Sequence, residues 1–181
     1  MASRIEDYAL IGDCRTAALV GRDGSIDWLC WPRFDSAACF AALLGTAEHG
    51  RWLLAPRDPP SAVNRRYRAG TLVLETEFQT PTGRAVIIDF MPPGVGSNLV
   101  RVVLGLSGSV AFRTEIAVRF DYGASVPWVE RLSDGSVSAI AGPERLVLRT
   151  PVALFGEDLK TIGEFSVGTD ECVPLVLSYA S

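Results

Sequence analysis

The sequence predicts an all-β protein, a single large antiparallel β-sandwich that covers residues 1–181. Two observations support this prediction. Short alternating or continuously apolar segments recur at the spacing of about 8–12 residues that is typical of sandwich strands, and about ten to twelve of them can be recognised. Only one segment, near residues 36–44, has the alanine and leucine content of a helix, whereas an α/β fold would need several helical crossovers.

The first elements form a hairpin followed by a loop. Apolar runs at 17–20 and 26–29 flank Asp23-Gly24, a dipeptide that favours a two-residue hairpin turn. Pro32 lacks the backbone N–H that a strand ladder needs, so the second strand should end there. The chain should then continue through a charged and aromatic loop into a short helix near residues 36–44, with Gly45 at its C-terminal cap.

The middle and C-terminal parts read almost entirely as strands. Residues 71–78 alternate between apolar and acidic side chains, which is typical of a strand with one solvated face. Residues 99–106 are almost continuously apolar and predict a central strand that is covered on both faces. Residues 111–120 alternate again. Asp134-Gly135 then predicts a second hairpin, and the remaining strands are expected at 145–149, 163–167 and 174–179.

Composition argues against several functional classes. The net charge of −4 does not suit a nucleic-acid-binding protein, which needs a basic face. No apolar run approaches the roughly 20 residues that span a bilayer, so no membrane contact is expected. The charged N-terminus lacks the apolar core of a signal peptide, and the four cysteines show no close pairing, so a cytoplasmic protein is expected. With one histidine, we expect neither a metal site nor a cofactor.

No residue is predicted to be catalytic. His49 is the only histidine and has no serine elbow beside it, and composition cannot select a catalytic pair among the carboxylates. Aromatic and charged residues at strand ends are more informative, because aromatic rings and a few placed polar groups are typical of sugar sites. The candidate contacts with a sugar or with another domain are Trp31, Arg33, Phe34, Asp35, Arg119, Asp121 and Tyr122.

Several segments resemble the N-terminal region of bacterial glycoside hydrolase family 15 proteins, which include glucoamylase-like and trehalase-like enzymes. The resemblance covers the chain in order, through the segments 5–13, 22–30, 32–36, 89–92, 119–123, 127–129 and 173–177. It implies an N-terminal β-sandwich, supersandwich-like, that precedes a linker and an (α/α)6 barrel. In that family the barrel carries both catalytic glutamates of an inverting hydrolysis of α-glucosidic bonds, so no catalytic role passes to this chain.

The resemblance therefore implies a non-catalytic domain of a trehalase-like or glucoamylase-like α-glycosidase. Its expected partner is the catalytic barrel, in cis or as a separate chain, and the domain would lend a loop to the rim of the sugar site. The chain would be either an isolated domain or the product of a truncated or split gene. The alternatives are a free-standing carbohydrate-binding module for trehalose or maltooligosaccharides and a self-sufficient hydrolase. A support domain should also expose an apolar face of more than a few hundred Å².

Overall fold

A computed structural model describes residues 4–94 and 96–180, which fold almost entirely into β-strands. Short 3-10 helices lie at Ile5–Asp7, Ala42–Leu44, Ala47–His49 and Asp121–Gly123. None of the helices in these residues is long and apolar enough to cross a membrane. The strands are β1 (Ala9–Gly12), β2 (Ala17–Val20), β3 (Ser25–Cys30), β4 (Ala38–Phe40), β5 (Arg51–Pro56), β6 (Ala62–Tyr67), β7 (Leu74–Thr80), β8 (Gly83–Phe90), β9 (Ser97–Ala117), β10 (Trp128–Arg131), β11 (Val137–Ala141), β12 (Glu144–Arg149), β13 (Leu154–Glu157), β14 (Lys160–Gly168) and β15 (Cys172–Ala180).

These strands form two antiparallel sheets that share β9, as the prediction of an antiparallel β-sandwich requires. Sheet A has the order β1-β2-β3-β5-β9-β14-β13, and β4 pairs with the end of β3. Sheet B has the order β6-β7-β8-β9-β15-β12-β11-β10. Fifteen strands are present in the described residues, more than the sequence predicts, because very short strands such as β4 lack a recognisable alternation.

Strand β9 joins the two sheets because its two halves pair with different neighbours. Its N-terminal half lies between β8 and β15 in sheet B, and its C-terminal half lies between β5 and β14 in sheet A. The change occurs near two glycines. A Cβ atom on Gly105 would lie 1.9 Å from the carbonyl oxygen of Gly168, and Gly108 has a φ of +65°. Both positions therefore favour glycine, one through close backbone approach and the other through its backbone conformation.

The core lies between the inward faces of the two sheets. Trp52 and Phe112 of sheet A and Phe78 of sheet B are fully buried in one apolar cluster. Arg101 of β9 is also fully buried, and its guanidinium donates to both carboxylate oxygens of Asp89 at 2.8 and 3.2 Å. The buried ion pair faces the core of the sandwich, where its charges must be satisfied by partners rather than by water.

The helix predicted near residues 36–44 is wrong in type and extent. Residues Ala38–Phe40 form strand β4, in which Phe40 pairs with Leu29 and Ala38 pairs with Cys30, and only Ala42–Leu44 form a 3-10 turn. All three strand residues are buried. Pairing with β3 therefore outweighs the weak helix propensity of this alanine-rich segment.

Candidate interdomain surface

Three of the candidate residues lie together in the exposed loop between β3 and β4. Arg33 and Asp35 form an ion pair at 2.8 Å, and Phe34 between them is 64% exposed. The backbone N–H of Phe34 donates to the carbonyl oxygen of Arg15 at 3.0 Å, which ties the loop to the β1–β2 connection. The loop thus presents an aromatic ring and a charge pair to solvent, as the sequence predicts.

Two further candidates occupy the turn that follows β9. Asp121 and Tyr122 have φ angles of +51° and +58°, a left-handed conformation that is uncommon outside glycine, and both side chains are exposed. The ring of Tyr122 lies 6.1 Å from that of Trp28, which is half-buried on β3. This contact holds the turn against the outer side of sheet A.

Two of the candidates, Trp31 and Arg119, are buried in this structure, unlike the other five. Trp31 is 1% exposed and packs against Tyr179, with ring centroids 6.3 Å apart. Arg119 is 4% exposed, and its guanidinium donates to the carbonyl oxygens of Val118 and Leu159. Trp31, the first residue after β3, packs in the core. Arg119 binds the turn between β13 and β14 through the carbonyl oxygen of Leu159.

The exposed candidates lie in two groups rather than in one site. Among the described residues, no hydrogen bond, ion pair or ring contact joins the loop with Arg33 to the turn with Tyr122. Strand β4 connects the two groups. It pairs with β3, and the carbonyl oxygen of its residue Cys39 accepts a hydrogen bond from the backbone N–H of Arg119 at 3.1 Å. Both groups follow the C-terminal ends of parallel-running strands in sheet A.

A perturbed carboxyl group lies near the same end. Burial, followed by the negative charge of Asp121, raises the pKa of Glu144 at the start of β12. Burial and then the charge of Glu144 raise the pKa of Tyr179. A carboxyl with a raised pKa can hold a proton that an ordinary one has lost. Within the described residues, no three His, Cys, Asp or Glu side chains are placed to hold a metal ion.

The largest departure from an ordinary soluble sandwich is the outward face of sheet B. Because side chains alternate along a strand, the inward face of β9 holds Leu99, Arg101 and Val103, and the outward face holds the residues between them. Those outward residues and their cross-strand neighbours are apolar. They are Val86, Ile88 and Phe90 on β8, Val100, Val102, Leu104 and Leu106 on β9, and Pro174 and Val176 on β15. We call this set the sheet B patch.

The sheet B patch keeps contact with solvent. Val100, Val102, Leu104 and Leu106 are each half-buried, whereas the inward residues of the same strand segment are fully buried. The prediction that residues 99–106 form a central strand is confirmed, but the expected cover lies on one face only. An antiparallel sheet with one solvated face normally alternates apolar and polar residues, so an apolar outward face is unusual.

Polar residues border the sheet B patch. Glu75 on β7 accepts hydrogen bonds from Arg66 at 2.8 Å and from Arg68 at 2.7 Å. These three side chains form one wall of a shallow groove of about 220 Å³ whose other wall includes Ile88 and Leu104. An apolar centre with a charged border is the usual anatomy of a protein interface.

The outward face of sheet A is different, because ion pairs cover its part on β9 and β14. Glu164 on β14 pairs with Arg113 at 3.0 Å and with Arg57 at 3.2 Å, and Glu115 lies 3.4 Å from Lys160. Over β1–β3 the same face carries a short apolar row of Leu10, Leu19 and Trp28. The outward face of sheet A is therefore mixed, whereas the sheet B patch is apolar throughout.

Comparisons with known proteins identify a family and several relatives of this chain. The family model described as "Trehalase-like, N-terminal" matches residues 1–169. The chain is 28% identical over 200 residues to a trehalase of Mycobacterium tuberculosis, a match that covers 94% of this chain and 29% of that protein. It is 40% identical over 90 residues to a trehalase of Mycolicibacterium smegmatis, covering 50% of this chain and 13% of that protein.

A third relative, a trehalase of Thermoplasma volcanium, is 31% identical over 142 residues, which is 74% of this chain and 23% of the relative. The chain thus spans less than a third of the length of each of these proteins. The match to the family model covers residues 1–169 of the 181 in the sequence. The chain therefore belongs to the family of trehalase-like N-terminal domains.

Proposed function

We propose that this chain is a non-catalytic N-terminal domain of a trehalase-like glycoside hydrolase and that it supports the catalytic domain by packing the sheet B patch against it. The observation that carries the proposal is the apolar outward face of β8, β9 and β15, in a sandwich whose other sheet carries ion pairs on its outward face over β9 and β14. The lengths of the relatives agree with it, since most of each relative lies outside the matched region.

The physical reason is the cost of leaving apolar surface in water. Removing apolar surface from water contributes about 25 cal/mol per Å², so a patch of several valine, isoleucine and leucine side chains stabilises an interface considerably. The three strands that carry the patch are interior strands of sheet B and are paired along both edges, so the backbone beneath the patch is held rigidly. A rigid apolar face needs little ordering when it meets a partner surface.

The chemistry is assigned to the part of the longer protein outside this chain. By resemblance to glycoside hydrolase family 15, an (α/α)6 barrel in cis would carry the catalytic acid and base for an inverting hydrolysis of trehalose or an α-glucan. The exposed residues Arg33, Phe34, Asp35, Asp121 and Tyr122 would then contact the barrel or the rim of its sugar site. A cytoplasmic location is also proposed, and the four free cysteines support it.

The test uses a chimera in which this chain replaces the matched region of the M. tuberculosis trehalase. Val102→Lys places a charge in the sheet B patch, and Leu53→Lys is the matched control on the outward face of sheet A, since both positions are half-buried on interior strands. Burying an unpaired charge costs several kcal/mol. We expect Val102→Lys to lower trehalase activity or soluble yield by about 10-fold or more, which corresponds to about 1.4 kcal/mol.

The Leu53→Lys control shows whether the effect is specific to the sheet B patch. Leu53→Lys should leave the chimera within about 2-fold of the unsubstituted protein, and both substitutions should alter the unfolding free energy of the isolated chain by a similar small amount, about 0.5 kcal/mol. Equal behaviour of the two chimeras would overturn the assignment of the patch. Saturable binding of trehalose or maltooligosaccharides by the isolated chain would instead favour a carbohydrate-binding module, and hydrolysis by the isolated chain would contradict a non-catalytic role.

A further inference from the structure

The sandwich has two sides where an edge strand of sheet A lies beside an edge strand of sheet B. In the described residues, hydrogen bonds between the two sheets close one of these sides but only one end of the other. On one side, the hydroxyl of Tyr67 on β6 accepts from the N–H of Leu10 at 2.9 Å and donates to its carbonyl oxygen at 2.8 Å. Arg65 on β6 donates to the carbonyl oxygens of Asp7 and Val20 at 2.8 and 2.9 Å. Side chains of one edge strand thus satisfy backbone groups of the other sheet.

The opposite side is open. Among the strands of residues 4–94 and 96–180, β10 pairs with β11 alone and β13 pairs with β14 alone, so each leaves one edge unpaired. Residues 126–131 and 154–161 line a single groove of about 600 Å³ between these edges. The guanidinium of Arg131 donates to the carbonyl oxygen of Leu154 and closes one end of it. We call this groove the edge cleft.

The walls of the edge cleft are unusually apolar for a solvent-exposed place. Trp128 is 75% exposed and Leu159 is 73% exposed, and Phe155 is half exposed. Leu159 is held there by the buried guanidinium of Arg119, which donates to its carbonyl oxygen at 3.2 Å. Unpaired strand edges with exposed apolar side chains promote pairing with further strands, and soluble proteins normally protect them with charges, bulges or covering elements.

We propose that the edge cleft binds an extended polypeptide strand, which pairs with the free edge of β10 or β13 and so joins sheets A and B on their open side. The strand would come from the part of the longer trehalase-like protein that follows this domain, and this source rests on the proposed function. Backbone groups of the strand would satisfy the unpaired edge, and its apolar side chains would cover Trp128, Phe155 and Leu159.

Charge and reach favour this occupant. The cleft is lined by three acidic and two basic side chains, and this excess of one negative charge suits a strand with a basic residue. The pairing registers Trp128↔Ile140, Ile140↔Arg145 and Arg145↔Ala180 place Ala180 in the same row as Trp128. Three strand spacings separate them, about 14 Å, so residues that follow position 180 in a longer protein would reach the open end of the cleft within a few residues.

The test measures amide hydrogen exchange in this chain with a synthetic peptide of about 12 residues, which covers a strand of ordinary length. Its sequence is that of the residues that follow the matched region in the M. tuberculosis trehalase. We expect the peptide to slow exchange about 10-fold or more in residues 128–131 or 154–157, since protection requires backbone pairing. The double substitution Trp128→Ala with Phe155→Ser should abolish this protection. The control Leu44→Ser, which changes an exposed apolar residue outside the cleft, should preserve it.

Each remaining outcome overturns the proposal. Protection that rises with the concentration of the chain alone would assign the cleft to a second copy. Protection by trehalose without the peptide would make it a sugar site, and no protection by any probe would leave it without a strand. These outcomes concern the cleft alone, because the chimera with Val102→Lys tests the sheet B patch separately.

Discussion

At the scale of single residues, Glu75 illustrates how the polar border of the sheet B patch is organised. Hydrogen bonds from Arg68 and then from Arg66 lower the pKa of the Glu75 carboxyl. Arg66 lies opposite Glu75 in the pairing of β6 with β7, so the contact is set by strand register. Opposite charges that face each other across two strands stabilise a sheet by about 0.2–1 kcal/mol, and here one carboxylate serves two arginines.

A pH-dependent stability follows from that shift. Because the pKa of Glu75 is lower in the folded state than in the unfolded state, ionisation favours folding. The contribution is complete above the unfolded pKa, roughly 4.3, and is lost as the pH falls through the folded pKa. Glu75→Gln should therefore be less stable than the wild type near pH 7, by about 0.5–1 kcal/mol since the arginines are exposed, and the difference should shrink in acid.

Urea unfolding at a series of pH values measures this difference. The double substitution Arg66→Gln with Arg68→Gln is the matched control, because it removes the cause of the shift and should remove the pH dependence of the Glu75→Gln effect. A difference between Glu75→Gln and the wild type that stays constant from pH 7 to pH 3 would contradict the assignment.

At the scale of elements, β9 decides the architecture. One strand of 21 residues serves as the central strand of both sheets, and it can do so only if it bends where it leaves one sheet for the other. Gly105 lies at this place, against the backbone of Gly168 at the end of β14, where the connection to β15 begins. The hydrogen bonds of Gly105 with Glu171 and Asp170, both at 3.0 Å, hold that connection against the strand.

Gly105→Ala should therefore be strongly destabilising. Its Cβ would lie 1.9 Å from a backbone carbonyl oxygen, which cannot rotate away as a side chain can, so the sheet itself must shift. We expect a loss of about 1–3 kcal/mol in the free energy of unfolding, the usual range for overpacking. Gly156→Ala on β13 is the control, because its nearest neighbour would lie 4.0 Å away. Thermal or urea unfolding checks both, and equal stability of the two variants would contradict this account.

At the scale of the whole molecule, the buried pair of Asp89 and Arg101 locks sheet B to sheet A. Besides its bonds to Asp89, the guanidinium donates to the carbonyl oxygens of Trp52 on β5 at 3.1 Å and of Gly24 in the turn between β2 and β3, two strands of sheet A, at 2.8 Å. It also lies 5.3 Å from the ring centroid of Trp52. Four hydrogen bonds thus satisfy a cation in the core, and two of them cross between the sheets.

Removal of one partner should leave a buried charge without compensation. Asp89→Ala or Arg101→Met should each lower the free energy of unfolding by about 3–5 kcal/mol. The double variant should lose less than the sum of the two, because the residues act as one unit. The exposed pair of Arg33 and Asp35 is the control, since Asp35→Ala should cost less than about 1 kcal/mol. Additive losses in urea unfolding would show that the pair does not act as a unit.

Much of the fold could be predicted from local patterns. Asp23-Gly24 and Asp134-Gly135 predict two turns that the structure contains. Alternation predicts β7 and the C-terminal half of β9, and a continuous apolar run predicts its N-terminal half. Local patterns cannot show that the two halves are one continuous strand, because the bend at Gly105 depends on the backbone of Gly168. Local patterns also predict a helix where β4 lies, because the sequence of a short alanine-rich segment does not show that it pairs with another strand.

The candidate site was partly predictable, because local sequence shows where a strand ends but not what packs against its end. A proline after a strand predicts an exposed loop, and Arg33, Phe34 and Asp35 are exposed. Trp31 and Arg119 are also aromatic or charged residues at strand ends, but both are buried. Their burial depends on the residues that pack against the strand end, which the local sequence does not show. Trp128 is recognisable as an aromatic residue near a strand end. Its place in the edge cleft depends on Phe155 and Leu159, which come from a distant part of the sequence.

The sequence by itself determines that this chain is an antiparallel sandwich and that residues 99–106 are apolar except for Arg101, because alternation, apolar runs and turn residues act locally. It does not determine which face of this segment is buried, since both faces are mostly apolar. Only the tertiary structure decides this: Arg101 reaches Asp89 and the carbonyl groups of sheet A from one face, and so the other face remains as the sheet B patch.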